Sequence, residues 1–151
     1  MPNPYTHIDL GYLESITDGS YDLIKELISI FIEQIPEFKE DFEEGLTSQD
    51  WGKIAAVAHK AKSSVMSMGM EELGNKDLKN LELLAKLLKV DELDGNSDEA
   101  IQIKKSINNY EDERQQWLID NKNETAVKNI IEHFNQTCDS ALIELQEVLE
   151  N

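Results

Sequence analysis

The run from Trp51 to Gly69 reads W-G-K-I-A-A-V-A-H-K-A-K-S-S-V-M-S-M-G and holds a single histidine, His59, with Lys62 three residues on and Ser63 four on. A neutral imidazole nitrogen can attack an electrophilic phosphoryl group. Phosphoryl transfer asks little covalent help of a protein; positioning and charge neutralisation do most of the work. Residues three and four apart are neighbours on a helix, so the Lys62 ammonium can lie against phosphate oxygens and the Ser63 hydroxyl can donate a hydrogen bond to them. The run contains no Asp or Glu, in a chain that has 31 of them. At the chain-wide acid frequency, a run this long is acid-free by chance about one time in a hundred. A carboxylate close by would repel an incoming phosphate, so the run is read as the patch that must tolerate one.

The helix that positions these side chains is legible from its period. With 100° per residue and Ile54 at zero, Val57, Ala58, Ala61, Val65 and Met68 fall within about 60° and form the buried face, while His59 lies about 140° away. Gly52, Ala55, Ala56, Ser63 and Met66 surround it at helical spacing. These are mostly small side chains, which leave a shallow surface that a docking partner can approach. Lys53, Lys60 and Lys62 make the run locally cationic and suit an acidic partner surface.

The remaining chain reads as helices joined by short turns. Met1 to Thr6 is expected to be a loose arm, because Pro2 and Pro4 do not fit a helix interior. Leu10, Leu13 and Ile16 mark a short first helix, ended by Asp18-Gly19-Ser20. Leu23, Ile24, Leu27, Ile28, Phe31, Ile32 and Ile35 form the stripe of a second helix, continued by Phe38, Phe42 and Leu46 past a kink predicted at Pro36. Gly69 has the place of a helix C-cap, and Met70 to Gly74 reads as a break or loose turn. Leu78, Leu81, Leu84, Ala85 and Leu88 define the next helix and Asp91 to Asn96 a loop. Ile103, Ile107, Tyr110, Arg114 and Trp117 define a further one. A last helix over about 124–149 carries Val127, Ile130, Ile131, Phe134, Cys138, Ala141, Leu142, Leu145, Val148 and Leu149. The pattern predicts an all-α, up-down bundle in one domain over residues 1–151, with a helical insertion at about 93–122 that is either an extra helix or an extension of the C-terminal hairpin.

Composition removes several classes of function. A net charge of −17 argues against direct binding to nucleic acid or to an anionic membrane surface. One cysteine allows no internal disulfide. The first residues lack a signal-peptide pattern, and no run approaches 18 apolar residues, so a cytoplasmic protein is expected. No Gly-rich nucleotide loop is present to make the chain a kinase. His133 and Cys138 are five apart with no partner pair, which is not a metal-ligand spacing. His7 and His133 have no setting like that of His59 and are read as incidental. Cys138 is read as a small buried hydrophobe, Met68 as core, and Trp117 and Tyr110 as packing residues of a polar helix.

The stretch A-H-K-A-K-S-S-V-M-S-M-G resembles the signature of histidine phosphotransfer (HPt) domains of two-component phosphorelays: a histidine, a lysine three on, small residues after it, and a glycine ten on. His59, Lys62, Ser63, Ser64 and Gly69 occupy those positions, with Ser63 where many members carry glycine. The resemblance spans roughly Thr6 to Leu88, with the last helix available to close the bundle. It implies a four-helix bundle with the histidine on its second long helix. It also implies phosphate exchange with the aspartate of response-regulator receiver domains, including that of a hybrid sensor histidine kinase. Magnesium would then belong to the receiver and no cofactor to this chain. A phosphorelay intermediate without kinase activity is therefore expected, as a monomer, with Gly52, Ala55, Ala56, Lys60, Ser63, Met66 and Gly69 at the docking face. The competing reading is a non-catalytic helical adaptor that binds a receiver-like partner. A third, an enzyme using His59 as general base, lacks a visible second catalytic group.

Overall fold

Side-chain caps set where the helices begin. In the computed structural model, which describes residues 4–151, the hydroxyl of Ser20 accepts from the Leu23 N–H at the start of α2 (Tyr21–Thr47). Asp50 accepts from Lys53 N at 3.0 Å to start α3 (Trp51–Ser67). Such caps satisfy donors that the first turn of a helix leaves orphaned. A short α1 (Gly11–Ile16) precedes them. A π-helical turn, Leu73–Leu78, runs into α4 (Lys79–Glu92); α5 (Asp98–Ile107), α6 (Asp112–Asp120) and α7 (Glu124–Glu150) follow. No strand occurs among the described residues, and none of their helices is long and apolar enough to cross a membrane.

The bundle is made of α2, α3, α4 and α7: α3 packs between α2 and α4, and α7 closes against both. The apolar stripes read from the sequence meet inside. Phe38 and Phe42 of α2 take Phe134 of α7 edge-on, with ring centroids 6.4 and 5.3 Å apart, a geometry that aligns ring edges with ring faces. Ala58 and Ala61 are fully buried on the inner face of α3. Each large apolar side chain buried in this way contributes about 1.5–3 kcal/mol. The all-α bundle expected from the sequence is the observed fold.

The second helix continues past Pro36, as the apolar stripe requires, with the proline on its exposed side, where water can serve the carbonyl left without its donor. Several local expectations are corrected. Leu23, placed in the apolar stripe, is exposed. Gly69 does end α3: its φ of +81°, the Gly69 N–H to Met66 bond and the Met70 N–H to Val65 bond form the two-bond cap that glycine favours. Met70–Gly74 is not a loose turn, however. Helix resumes at Glu71, and Gly74 lies inside it because a Cβ there would come within 2.6 Å of the Met66 sulfur.

The arm before α1 is tied down rather than loose from Tyr5 onward; Met1–Asn3 lie outside the described residues. Glu144 on α7 accepts from three successive N–H groups, of Thr6, His7 and Ile8, at 2.9, 2.8 and 3.1 Å. Partial burial opposes ionisation of Glu144, but these backbone donors outweigh it and hold its carboxyl below the ordinary value. Asp9 N–H then donates to Met68 at 2.9 Å, and a side chain at Gly69 would collide with the Asp9 backbone. The 93–122 segment, read from the sequence as one further helix, holds two. The chain turns at Asn108–Tyr110, Glu111 is extended, and α6 returns along α4. Tyr110 at that turn lies under the Lys79 ammonium and the Arg114 guanidinium, 5.3 and 5.6 Å from its ring centroid.

Candidate functional site

The buried face of α3 leaves His59 on the outside, as its period requires: the side chain is 67% exposed. Its imidazole is not unaccompanied. Nδ1 lies 3.2 Å from Oε1 of Glu82, which reaches it from α4, 23 residues on. Glu82 is only 3% exposed, yet Lys86 sits 2.9 Å and Lys79 4.0 Å from its carboxylate. Burial alone would push this carboxyl up. The hydrogen bond and charge of Lys86, the bond from His59 and the charge of Lys79 together win, and hold it below the ordinary value. Glu82 is therefore ionised at neutral pH. An ionised carboxylate can only accept, so Nδ1 carries the proton in this contact. The neutral ring then presents its lone pair at Nε2.

This corrects the expectation drawn from the acid-free run. A carboxylate does lie beside the histidine, supplied by the neighbouring helix. Its charge is offset by two lysines, and it bonds the nitrogen that faces inward. Glu82, Lys79 and Lys86 were missed by the sequence reading. The signal available was an acid in an otherwise apolar stretch, Leu81–Ala85, where a buried charge requires partners.

The other residues expected at the site do not all gather around the imidazole. Lys60 and Ser63 are exposed and Lys62 is half-buried on the histidine side of α3; neither lysine has an ion-pair partner among the described residues. Lys53 is instead held by Glu44 at 2.5 Å. Gly52, Ala55 and Ala56 form the floor of a groove of about 480 Å³ that also contains His59, with Lys86 and Lys89 on its α4 side and Gln102 and Ile103 on its α5 side. Met66 lines a separate depression with Tyr12, Ser63, Ser67 and Glu71. Gly69 packs on Asp9, which accounts for it structurally.

The residues read as incidental have ordinary surroundings. His133 pairs with Asp77 at 3.3 Å, and His7 lies 3.5 Å from Glu144. Cys138 is buried in the core, and burial pushes its thiol up to about 12, which leaves it protonated and inert.

A sequence model of the Hpt domain matches residues 26–113, from α2 through α5 and into α6. The chain belongs to the Hpt domain family. No curated protein and no solved structure matches it. Hpt domains serve histidine phosphotransfer in phosphorelays and interact with response-regulator receivers, and this is the general role of the chain. The family match stops short of α7, so the helix that closes the bundle here is assigned by packing alone: its Phe134, Cys138, Ala141 and Leu145 are fully buried.

Proposed function

We propose that His59 is the phosphoryl-accepting residue of this Hpt domain, and that the chain acts by itself as a relay in the cytoplasm. It would take phosphate from one receiver aspartate, such as that of a hybrid sensor kinase, and pass it to another. The observation that carries this reading is the 3.2 Å contact between Nδ1 and a buried, ionised Glu82, which leaves Nε2 as the nucleophile on an exposed ring.

The step balances as follows. The Nε2 lone pair forms the N–P bond while the P–O bond to the aspartyl carboxyl breaks, and the electron pair leaves with that carboxylate. The product ring carries phosphorus on Nε2 and a proton on Nδ1, hence a positive charge that the Glu82 carboxylate offsets. The reverse step returns the phosphoryl group to a carboxylate and regenerates the neutral ring with its proton still on Nδ1. Lys62 offsets charge on the phosphoryl oxygens, and Ser63 donates to them. Magnesium is held by the receiver, and this chain needs no cofactor and contributes no kinase chemistry.

Incubation with a phosphorylated receiver is expected to place one phosphoryl group on His59, lost in acid and retained in base. Peptide mapping by mass spectrometry checks it, and an acid-stable phosphate on Ser63 or Ser64 would sink the mechanism. Lys62→Ala is expected to slow transfer by about tenfold, the scale of one charge-assisted contact at a partly exposed site. Stopped-flow or rapid-quench rates that equal the unsubstituted protein's would remove Lys62 from this role.

A further inference from the structure

The segment between α4 and α7 has no role in the chemistry above, yet its first helix borders the groove that holds His59. We infer that α5 is part of the surface that selects the partner receiver, through Gln102 and Ile103. This rests on His59 being the phosphoryl acceptor.

The argument starts from distance. A receiver must bring its aspartyl phosphate to about 3 Å from Nε2. A specific interface buries about 800 Å² on each partner, a disc roughly 16 Å in radius. Residues that share one groove with the imidazole fall inside such a footprint. Gln102 is exposed and Ile103 half-exposed, and both line that groove.

The wall they form is fixed rather than adaptable. Ala100 and Ile107 are buried on the inner face of α5, Ile103 packs at the edge of that same core, and Gln102 stands on the outer side. Glu99 is paired to Lys89 of α4 at 2.7 Å. Tyr110, just beyond the helix, is held by Lys79 and Arg114. A rigid wall discriminates because a poorly matched partner cannot push it aside. Its chemistry defines the occupant: a receiver that seats an apolar side chain near its phospho-aspartate over Ala55, Ala56 and Ile103, with a polar group beside it for the Gln102 amide. A groove of about 480 Å³ has room for such a side chain.

The test compares two phosphoryl donors. A phosphorylated receiver must dock; phosphoramidate, a small donor, need only reach Nε2. Gln102→Trp fills the groove, and Gln102→Glu adds a charge with little change of shape. Lys104→Trp, on an exposed part of α5 outside the groove, controls for the bulk of the indole. For each Gln102 variant, the receiver rate is expected to fall at least about fivefold further than the phosphoramidate rate, relative to Lys104→Trp. A smaller difference in a variant that keeps its helical circular dichroism overturns the inference, and if the Trp variant does not fold, the Glu variant decides. Failure of the unsubstituted protein to take phosphate from either donor would instead overturn the functional reading, and the inference with it.

Discussion

Replacing His59 with Gln is expected to abolish phosphoryl uptake while leaving both the fold and receiver docking in place. The chemistry is lost entirely because an amide nitrogen has no available lone pair, and no other nucleophile stands in its position. Ser63 is close on the helix, but a hydroxyl is a weak nucleophile without an adjacent base, and the Glu82 carboxylate stays engaged with Lys86. The fold survives because the imidazole is 67% exposed and none of the buried core depends on it; surface changes of this kind move stability by about 0.5 kcal/mol or less. Gln can also donate to Glu82 in the place of Nδ1–H. Calorimetric binding of a receiver to H59Q, beside a phosphotransfer assay, separates relay from adaptor. Undiminished phosphate uptake by H59Q would falsify the assignment, whereas an adaptor would show docking and no phosphate even with His59 intact.

How much of this could be read from the chain depends on whether the information is local. The wet position of His59, the buried face of α3 and the Gly69 cap follow from a 3.6-residue period and one positive φ, which are properties of a few adjacent residues. Glu82, Lys86 and Lys89 do not. They reach the site from α4 only because α3 and α4 lie side by side, and no spacing within Trp51–Gly69 encodes that. The acid-free run therefore gave the right face and an incomplete account of its charge. Leu23 shows a related limit: periodicity names the apolar side of α2 but not how far it is covered. In the 93–122 segment, Ile103 to Trp117 sustains a helical pattern across Asn108–Tyr110, yet the chain turns there. The turn lets both short helices lie along α4, with Ala100, Ile107 and Leu118 buried.

The Glu82 carboxylate is where the tertiary arrangement enters the chemistry, so Glu82→Ala is expected to have the second largest effect. An imidazole without a partner prefers its proton on Nε2, the nitrogen that must attack. The Glu82 bond reverses that preference, turns the ring, and offsets the charge that develops as the N–P bond forms. Losing all three is expected to slow transfer by about ten- to a hundredfold, the range found when a carboxylate behind a functional histidine is removed. Stability should fall by only about 1 kcal/mol, or roughly 2–4 °C in melting temperature for a chain of this size. The cost is small because Lys86 and Lys79, 39% and 22% exposed, can turn to water and leave no uncompensated charge buried. Glu82→Gln keeps an acceptor for Nδ1–H but no charge, and should fall between the two. Nitrogen NMR of His59 distinguishes orientation from a general loosening of the helix: the alanine variant should shift the proton from Nδ1 to Nε2, and the glutamine variant should not. A slow alanine variant whose tautomer is unchanged would mean that Glu82 acts through charge alone, and a fast one would remove it from the mechanism.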